Sequence, residues 1–186
     1  ILNDTFKKED VIMLSLYPQY RFEGISQITV EDLKKMGVRG VAVDLDNTTA
    51  HDHTDIPLEG VVEWIAMVKQ AGFKVIILSN GNKARAGRFA KLLDNIEFVA
   101  MACKPLVSAY IRTQRVLGLK PRQIAMIGDQ IFTDIWGANF AGWVSVYVMP
   151  FAMEERNVKS FKRRRNLEKK IFAKMDAKGK KEINTN

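Results

Sequence analysis

Val41-Ala42-Val43-Asp44-Leu45-Asp46-Asn47-Thr48 decides the fold. An apolar run that starts at Val38 and passes through Gly40 ends here in two carboxylates, two residues apart. A short, continuously apolar run of this kind predicts a strand covered on both faces. Open α/β sheets form their ligand crevice at the carboxyl ends of such strands. Two carboxylates crowded there repel each other unless a cation or a shared proton relieves them. That favours a hard cation such as Mg²⁺, which prefers oxygen ligands. Taken alone, the stretch also fits a solvated acidic turn, since Asp-Asn-Thr is ordinary turn chemistry.

Three further stretches weigh against the bland reading. Residues 73–78 (Phe-Lys-Val-Ile-Ile-Leu) predict a second strand, ending in Ser79-Asn80-Gly81-Asn82. A third apolar run, 98–102, is followed by Cys103-Lys104-Pro105. A fourth, 124–127, ends in Gly128-Asp129-Gln130-Ile131-Phe132-Thr133-Asp134. The chain therefore offers, in order, a carboxylate pair, a hydroxyl, a lysine and a second acidic pair. Each stands at the carboxyl end of a predicted strand or the start of the next helix. In a parallel sheet such groups converge on one edge.

In Asp44-x-Asp46-x-Thr48, Ser79, Lys104 and Gly128-Asp129-x-x-x-x-Asp134 the chain resembles the haloacid dehalogenase superfamily of phosphotransferases, over about residues 38–150. Leu33-Lys34-Lys35-Met36-Gly37-Val38-Arg39-Gly40, together with the Asp44 and Gly128 motifs, looks like the YqeG-type group. Those are small cap-less phosphatases related to the mitochondrial phosphatidylglycerophosphate phosphatase. The resemblance implies a three-layer, Rossmann-like α/β fold with a parallel five-stranded sheet. It also implies Mg²⁺ as cofactor and a phosphorylated substrate, a phospholipid, converted to phosphatidylglycerol and phosphate.

The residue chemistry fits that class. Phosphate monoesters hydrolyse so slowly in water that an enzyme must supply a very large barrier reduction. A carboxylate nucleophile divides the reaction into formation and hydrolysis of an aspartyl-phosphate. Asp44, first at the strand end, is the expected nucleophile. Asp46 is the expected acid for the leaving alcohol and then the base for water. Asp129, Asp44 and the backbone carbonyl of Asp46 are the expected metal ligands. Ser79 and the backbone N–H of Asn80 would hold phosphate oxygens near a helix start. Lys104 would set a fixed cation on the transferring group. Thr48 would support the turn, and Asp134 would bind a metal-bound water or hold Lys104.

Plainer roles stand beside these. Ser79 also fits the N-cap of a helix from Lys83. Lys104 also fits a surface lysine ahead of Pro105, a good first helical residue. Asp134 also fits a first-turn acid favoured by the helix dipole. His51 and His53 flank the site, but without Cys or Glu at suitable spacing they make a poor zinc site.

Asp46 narrows the class. The superfamily's dehalogenases lack an acid there and its transport ATPases carry Thr, so Asp46 points to phosphate monoester turnover. The intervals Asp46 to Ser79 (33 residues) and Ser79 to Lys104 (25 residues) each hold one helix and one strand. Neither leaves room for an inserted cap domain. A site open at the sheet edge suits a macromolecular or membrane-held substrate.

At 186 residues the chain is long enough for one domain with a good core, and 47% hydrophobic residues argue against disorder. The single Cys103 permits no internal disulfide, fits a reducing compartment and is expected to be small and buried. Lys7, Lys8, Glu9 and Asp10 break up the N-terminal apolar residues, so no signal peptide is predicted. Residues 135–153 carry no charge and reach the length of a membrane span. Gly137, Asn139, Gly142, Ser145 and Pro150 punctuate them, so they predict a helix to Phe140, a turn at Gly142 and a fifth strand over 144–149. The expected location is the cytoplasm or an organelle matrix, peripheral on the inner membrane face.

These signs divide the chain into an N-terminal arm with a short helix (1–37), the catalytic core (38–150) and a basic amphipathic C-terminal helix and tail (151–186). In the arm, Thr29-x-x-Asp32 resembles a capping box. Before it, Tyr17-Pro18-Gln19-Tyr20-Arg21-Phe22 is expected to be an aromatic loop packed on the core. Residues 151–186 hold 12 Lys or Arg against 5 Asp or Glu, a net +7 of the whole chain's +8. Val158, Phe161, Leu167, Ile171, Phe172 and Met175 fall mostly at helical spacings among these charges. Such a helix can lie on an anionic membrane, dock on the sheet with a solvated basic face, or bind nucleic acid. The alternative within the same class is a phosphatase for a soluble phosphate ester or a phosphoprotein; the alternative of another class is a ribosome- or nucleic-acid-associated binder. Asp46 and Lys104 argue against it, because a binder needs no general acid.

Overall fold

The computed structural model describes residues 16–51, 54–150 and 159–177. The sheet is built by β1 (Tyr20–Phe22), β2 (Gly40–Val43), β3 (Lys74–Leu78), β4 (Glu97–Val99), β5 (Ile124–Gly128) and β6 (Val144–Val148). All pairings are parallel and the order is β1-β6-β5-β2-β3-β4. From the central β2 the chain winds outward through β3 and β4, then crosses back to β5 on the other side of β2. The strand order therefore reverses at β2, which is where an open sheet opens its crevice.

The strands alternate between two cores. Val41, Val43, Val75, Ile77, Ala125 and Ile127 face one core with Trp64, Ile65 and Val68 of α2 (Val61–Gln70) and Phe89 of α3 (Lys83–Leu92). Ala42, Ile76, Leu78, Ile124 and Met126 face the other with Ala109, Tyr110 and Leu117 of α4 (Val107–Leu117). Burial on both faces is why these strands are apolar over almost their whole length, apart from the exposed Lys74 at the start of β3, rather than alternating. The result is a three-layer α/β fold.

The five expected strands are all present, and a sixth joins them from the arm. Tyr20–Phe22, expected as a loop, pairs with β6 as an edge strand. Gln19 N–H donates to Ser145 O at 3.1 Å, and Met149 N–H to Phe22 O at 3.1 Å. Three residues are too few to display a two-residue period, and the partner strand lies far along the chain, so no local signal marks β1. After it, α1 (Val30–Lys35) begins with the expected capping box. Asp32 N–H donates to Thr29 Oγ1 at 3.1 Å and Thr29 N–H to Asp32 Oδ2 at 3.0 Å.

Some boundaries differ from expectation. Helix α2, which the interval between Asp46 and Ser79 predicts over about residues 57–71, begins after Gly60, and Pro57 is instead in a bridge with Ala50. Asn82, not Ser79, caps α3, accepting from Arg85 N–H at 2.8 Å. Leu106, not Lys104, is the N-cap of α4, so Pro105 precedes the helix and its peptide bond with Lys104 is cis. The uncharged stretch after Asp134 folds as expected into α5 (Trp136–Phe140), a turn at Gly142 with φ 71°, and β6; a π-helical turn (Ile131–Ile135), which was not expected, leads into α5. Among the described residues no helix is long and apolar enough to cross a membrane. Cys103 is exposed rather than buried, and Ala102 takes the buried position.

The C-terminal helix α6 (Lys159–Ala177) docks on the core. Ile171 and Phe172 pack on Ile131, Ile135 and Tyr147, with the Tyr147 and Phe172 ring centroids 4.6 Å apart. The guanidinium of Arg21, on β1, lies 4.4 Å from the Phe172 ring centroid. Leu167 stays exposed, and Val158 lies outside the described residues.

Candidate active site

Strand register assembles the site. Val43 lies opposite both Ile77 and Ile127, so the residues that follow these strands emerge side by side. Asp44 leaves β2 with its N–H still donating to Ile127 O at 2.9 Å. Ser79 follows β3 and Asp129 follows β5. Lys104 arrives from the segment after β4.

Lys104 is the hub. Its Nζ lies 2.6 Å from Asp44 Oδ1 and 2.6 Å from Asp134 Oδ1, and all three residues are buried. The surface-lysine reading of Lys104 therefore falls, as does a merely helix-stabilising Asp134. Asn80 fixes the lysine's backbone: its Oδ1 accepts from Lys104 N–H at 2.6 Å and its Nδ2 donates to Lys104 O at 3.1 Å. Ser79 Oγ is buried at the same corner and accepts from Gly81 N–H at 3.0 Å. Asp134 Oδ2 accepts from Gln130 N–H at 3.1 Å. A side chain at Gly128 would overlap Asp134, which explains glycine before Asp129. Tyr110, which the sequence did not single out, supports this loop by donating from its hydroxyl to Thr133 O at 2.7 Å.

Asp44, Asp129 and Asp134 each offer a carboxylate oxygen within 4.8 Å of the others. Asp129 Oδ1 is buried with no hydrogen-bond partner among the described residues. Three hard oxygen donors, one of them orphaned, fit a divalent cation of the Mg²⁺ type. Burial pushes the Asp44 carboxyl up to about 7, with Lys104 pulling it down and Asp134 pushing it further up. Burial likewise pushes Asp129 to about 8, against the pull of Arg165 and with Asp44 and Asp134 adding to the rise. For Lys104 burial opposes the charge, but Asp134 and Asp44 outweigh it and hold the ammonium above its usual range.

Asp46 stands apart from this cluster. Its Oδ1 lies 2.7 Å from Arg85 Nη1 of α3. Thr48 is buried, yet its hydroxyl has no partner among the described residues; the supporting bonds come from Thr49, whose Oγ1 donates to Asp44 O at 2.8 Å and Leu45 O at 3.1 Å. His51 contributes its backbone carbonyl to the loop, and its imidazole belongs to no metal-like group among the described residues; His53 lies outside them. Arg165 of α6 also reaches the cluster. It ion-pairs with the Asp129 carboxylate, donates to Asp129 O at 2.7 Å, and is held by Glu168 Oε2 at 2.7 Å. Sequence reasoning missed Arg85, Arg165 and Glu168.

Residues 19–142, well over half the chain, match the family model of the haloacid dehalogenase-like hydrolases. A Bacillus subtilis (strain 168) protein, "Probable phosphatase YqeG", is 34% identical over 162 residues, covering 87% of this chain and 92% of its own. A solved structure, that of an uncharacterized protein from Listeria monocytogenes serotype 4b, aligns at TM-score 0.52 and 23% identity. It covers 64% of this chain and 84% of its own, and speaks to the fold alone. The chain belongs to the haloacid dehalogenase-like hydrolases. Within that family it is an enzyme of the phosphatase kind.

Proposed function

We propose that this phosphatase hydrolyses phosphate monoesters through an aspartyl-phosphate on Asp44, with Mg²⁺ as cofactor and phosphatidylglycerophosphate as substrate. One observation carries the chemistry: Lys104 Nζ bridges Asp44 and Asp134 inside a cluster of three buried carboxylates.

Asp44, Asp129 and the backbone carbonyl of Asp46 would hold the cation, with Asp134 beside them. When bound, Mg²⁺ supplies positive charge that screens Asp44 from the incoming phosphate and orients in-line transfer. Lys104 fixes the direction of the Asp44 carboxylate and places a second cation on the transferring group. The Ser79 hydroxyl and the Asn80 N–H bind phosphate oxygens just ahead of α3. Asp46 protonates the leaving alcohol and then takes a proton from the attacking water. The substrate class rests on the YqeG-type resemblance and on the outer face of α6, where Arg163, Lys169, Lys170 and Leu167 are exposed. Such a face suits an anionic lipid surface.

The test is phosphate release, with Mg²⁺, from phosphatidylglycerophosphate in vesicles and from nucleotide, sugar and peptide phosphates. The lipid should be turned over fastest. Asp44→Asn should abolish release from every substrate while keeping the thermal unfolding of the fold. Turnover by this variant within about tenfold of the parent would remove Asp44 as nucleophile. Faster turnover of a soluble phosphate than of the lipid would overturn the substrate assignment.

A further inference from the structure

Arg85 is a charged residue in an uncomfortable place. It lies in the first turn of α3, at the end where the helix dipole disfavours a cation, and that turn contains no acid of its own. Yet it is buried, 8% exposed. Its backbone N–H is fixed by the Asn82 cap. Its guanidinium is fixed by the loop after β2: Nη2 donates to Thr54 O at 2.6 Å and His51 O at 3.5 Å, and Nε to Thr54 O at 3.0 Å. Asp55 Oδ1 stands 3.6 Å from Nε and is itself tethered through Oδ2 to Arg88 at 2.6 Å. The remaining nitrogen, Nη1, meets Asp46 Oδ1 at 2.7 Å. Among these contacts, Asp46 is the one in the Asp44-x-Asp46 motif.

We propose that Arg85 is a positioning residue for Asp46. A guanidinium locked by backbone carbonyls is a rigid fork, and a carboxylate on that fork has one orientation instead of many. This rests on Asp46 acting as general acid and base. In the first half-reaction a lone pair of the Asp44 carboxylate forms a bond to phosphorus while the bond from phosphorus to the alcohol oxygen breaks. The proton on Asp46 passes to that oxygen, and the resulting Asp46 carboxylate is paired by Arg85. In the second half-reaction water attacks phosphorus and gives its proton to Asp46. The bond between phosphorus and Asp44 breaks, and Asp44 recovers its electron pair. Water is the only co-reactant. Arg85 acts by pointing Asp46 at the leaving oxygen and by stabilising the anion each turnover creates.

The plainer role for Arg85 is a staple that ties His51, Thr54 and Asp55 to α3. Leaving-group dependence separates the two. Hydrolysis is measured across aryl phosphates from p-nitrophenyl, whose phenolate leaves without help, to phenyl and methyl-substituted phenyl, which need a proton. Arg85→Met should lose about tenfold or more additional rate on phenyl phosphate than on p-nitrophenyl phosphate. Asp46→Asn should show the same steepening, and the double variant should be no steeper than Asp46→Asn. Arg85→Lys, which keeps charge but not the fork, should recover part of the loss. A ratio between two substrates on one preparation is independent of the fraction folded, so poor folding cannot mimic this result. Equal losses across the series in Arg85→Met, with Asp46→Asn steep, would overturn the positioning role and leave the staple. An unchanged series in Asp46→Asn would instead remove the acid role of Asp46, and this proposal with it.

Discussion

Arg165, on the C-terminal helix, grips Asp129 at both its carboxylate and its backbone carbonyl, the latter at 2.7 Å. Three residues on, Glu168 holds the same guanidinium at 2.7 Å and accepts from Ile131 N–H at 3.1 Å. Glu168 is buried although acidic, and these two bonds are its compensation. The basic helix is therefore bolted to the loop that carries a candidate metal ligand. Removing it would leave Asp129 without its cation and uncover Ile131, Ile135 and Tyr147.

Arg165→Ala should destabilise the protein. Breaking one side of a buried pair costs about 3–5 kcal/mol, and the partial exposure of Arg165 brings the expectation nearer 1–3 kcal/mol through solvent screening. Urea unfolding without added metal measures it, and Arg165→Lys should restore part of the loss. An unchanged unfolding midpoint in Arg165→Ala would show that the pair does not hold the helix.

The buried carboxyls make stability depend on pH in a stated direction. Asp44 and Asp129 have folded values of about 7 and about 8, above the ordinary 3.8. The folded state thus binds more protons than the unfolded chain between those limits. The contribution of these two groups is fully present below about pH 4 and is lost as pH rises toward 8. A divalent cation binds the ionised cluster and so should restore more stability at pH 8 than at pH 5. Thermal unfolding with EDTA and with Mg²⁺ at both pH values measures the difference. A Mg²⁺ effect equal at pH 5 and pH 8 would contradict this linkage.

The residues legible in the sequence are those whose position is fixed by their own strand. Asp44, Ser79 and Asp129 each directly follow an apolar run, and parallel pairing brings strand ends together whatever the details. Lys104 and Asp134 come a few residues after their apolar runs and were legible as the lysine and the second acid that follow strand ends in order along the chain. Arg85 and Arg165 were not legible, because each sits among other cations on a helix. That Arg165 turns inward while Arg163 stays exposed depends on how α6 meets the core, and no local pattern encodes that. Strand β1 was hidden for the same kind of reason: its hydrogen bonds go to β6, across most of the chain.

Gly128→Ala tests the packing of the two acidic residues. The new methyl group would overlap the Asp134 side chain, so Asp134 must move and release Lys104. Overpacking of this kind costs about 1–3 kcal/mol. Misplacing the lysine by about 1 Å should cost on the order of 10²-fold in kcat. Both are read from one preparation by unfolding and by p-nitrophenyl phosphate turnover. Full activity in Gly128→Ala would show that the Lys104–Asp134 pair is not needed for the chemistry.

The C-terminal helix can dock and still present a basic face to a membrane, because different residues do each. Arg165, Glu168, Ile171 and Phe172 face the core, whereas Arg163, Lys169 and Lys170 are exposed. Truncating the helix would remove both faces at once, so reversal of the exposed charges is the sharper test. Arg163→Glu with Lys169→Glu and Lys170→Glu leaves the Arg165–Asp129 pair in place. Unfolding and activity on p-nitrophenyl phosphate should therefore stay at the parent level. At about 1 kcal/mol per basic residue near an anionic surface, loss of three should weaken vesicle binding about hundredfold. Sedimentation with phosphatidylglycerol vesicles and with neutral vesicles, RNA present as competitor, measures this. The parent protein should sediment with the anionic vesicles only, less so at high salt, because exposed charges are screened beyond about 8 Å at physiological ionic strength. Equal binding of parent and variant to anionic vesicles would remove the membrane role of this face. Displacement of the parent by RNA would assign the face to nucleic acid instead.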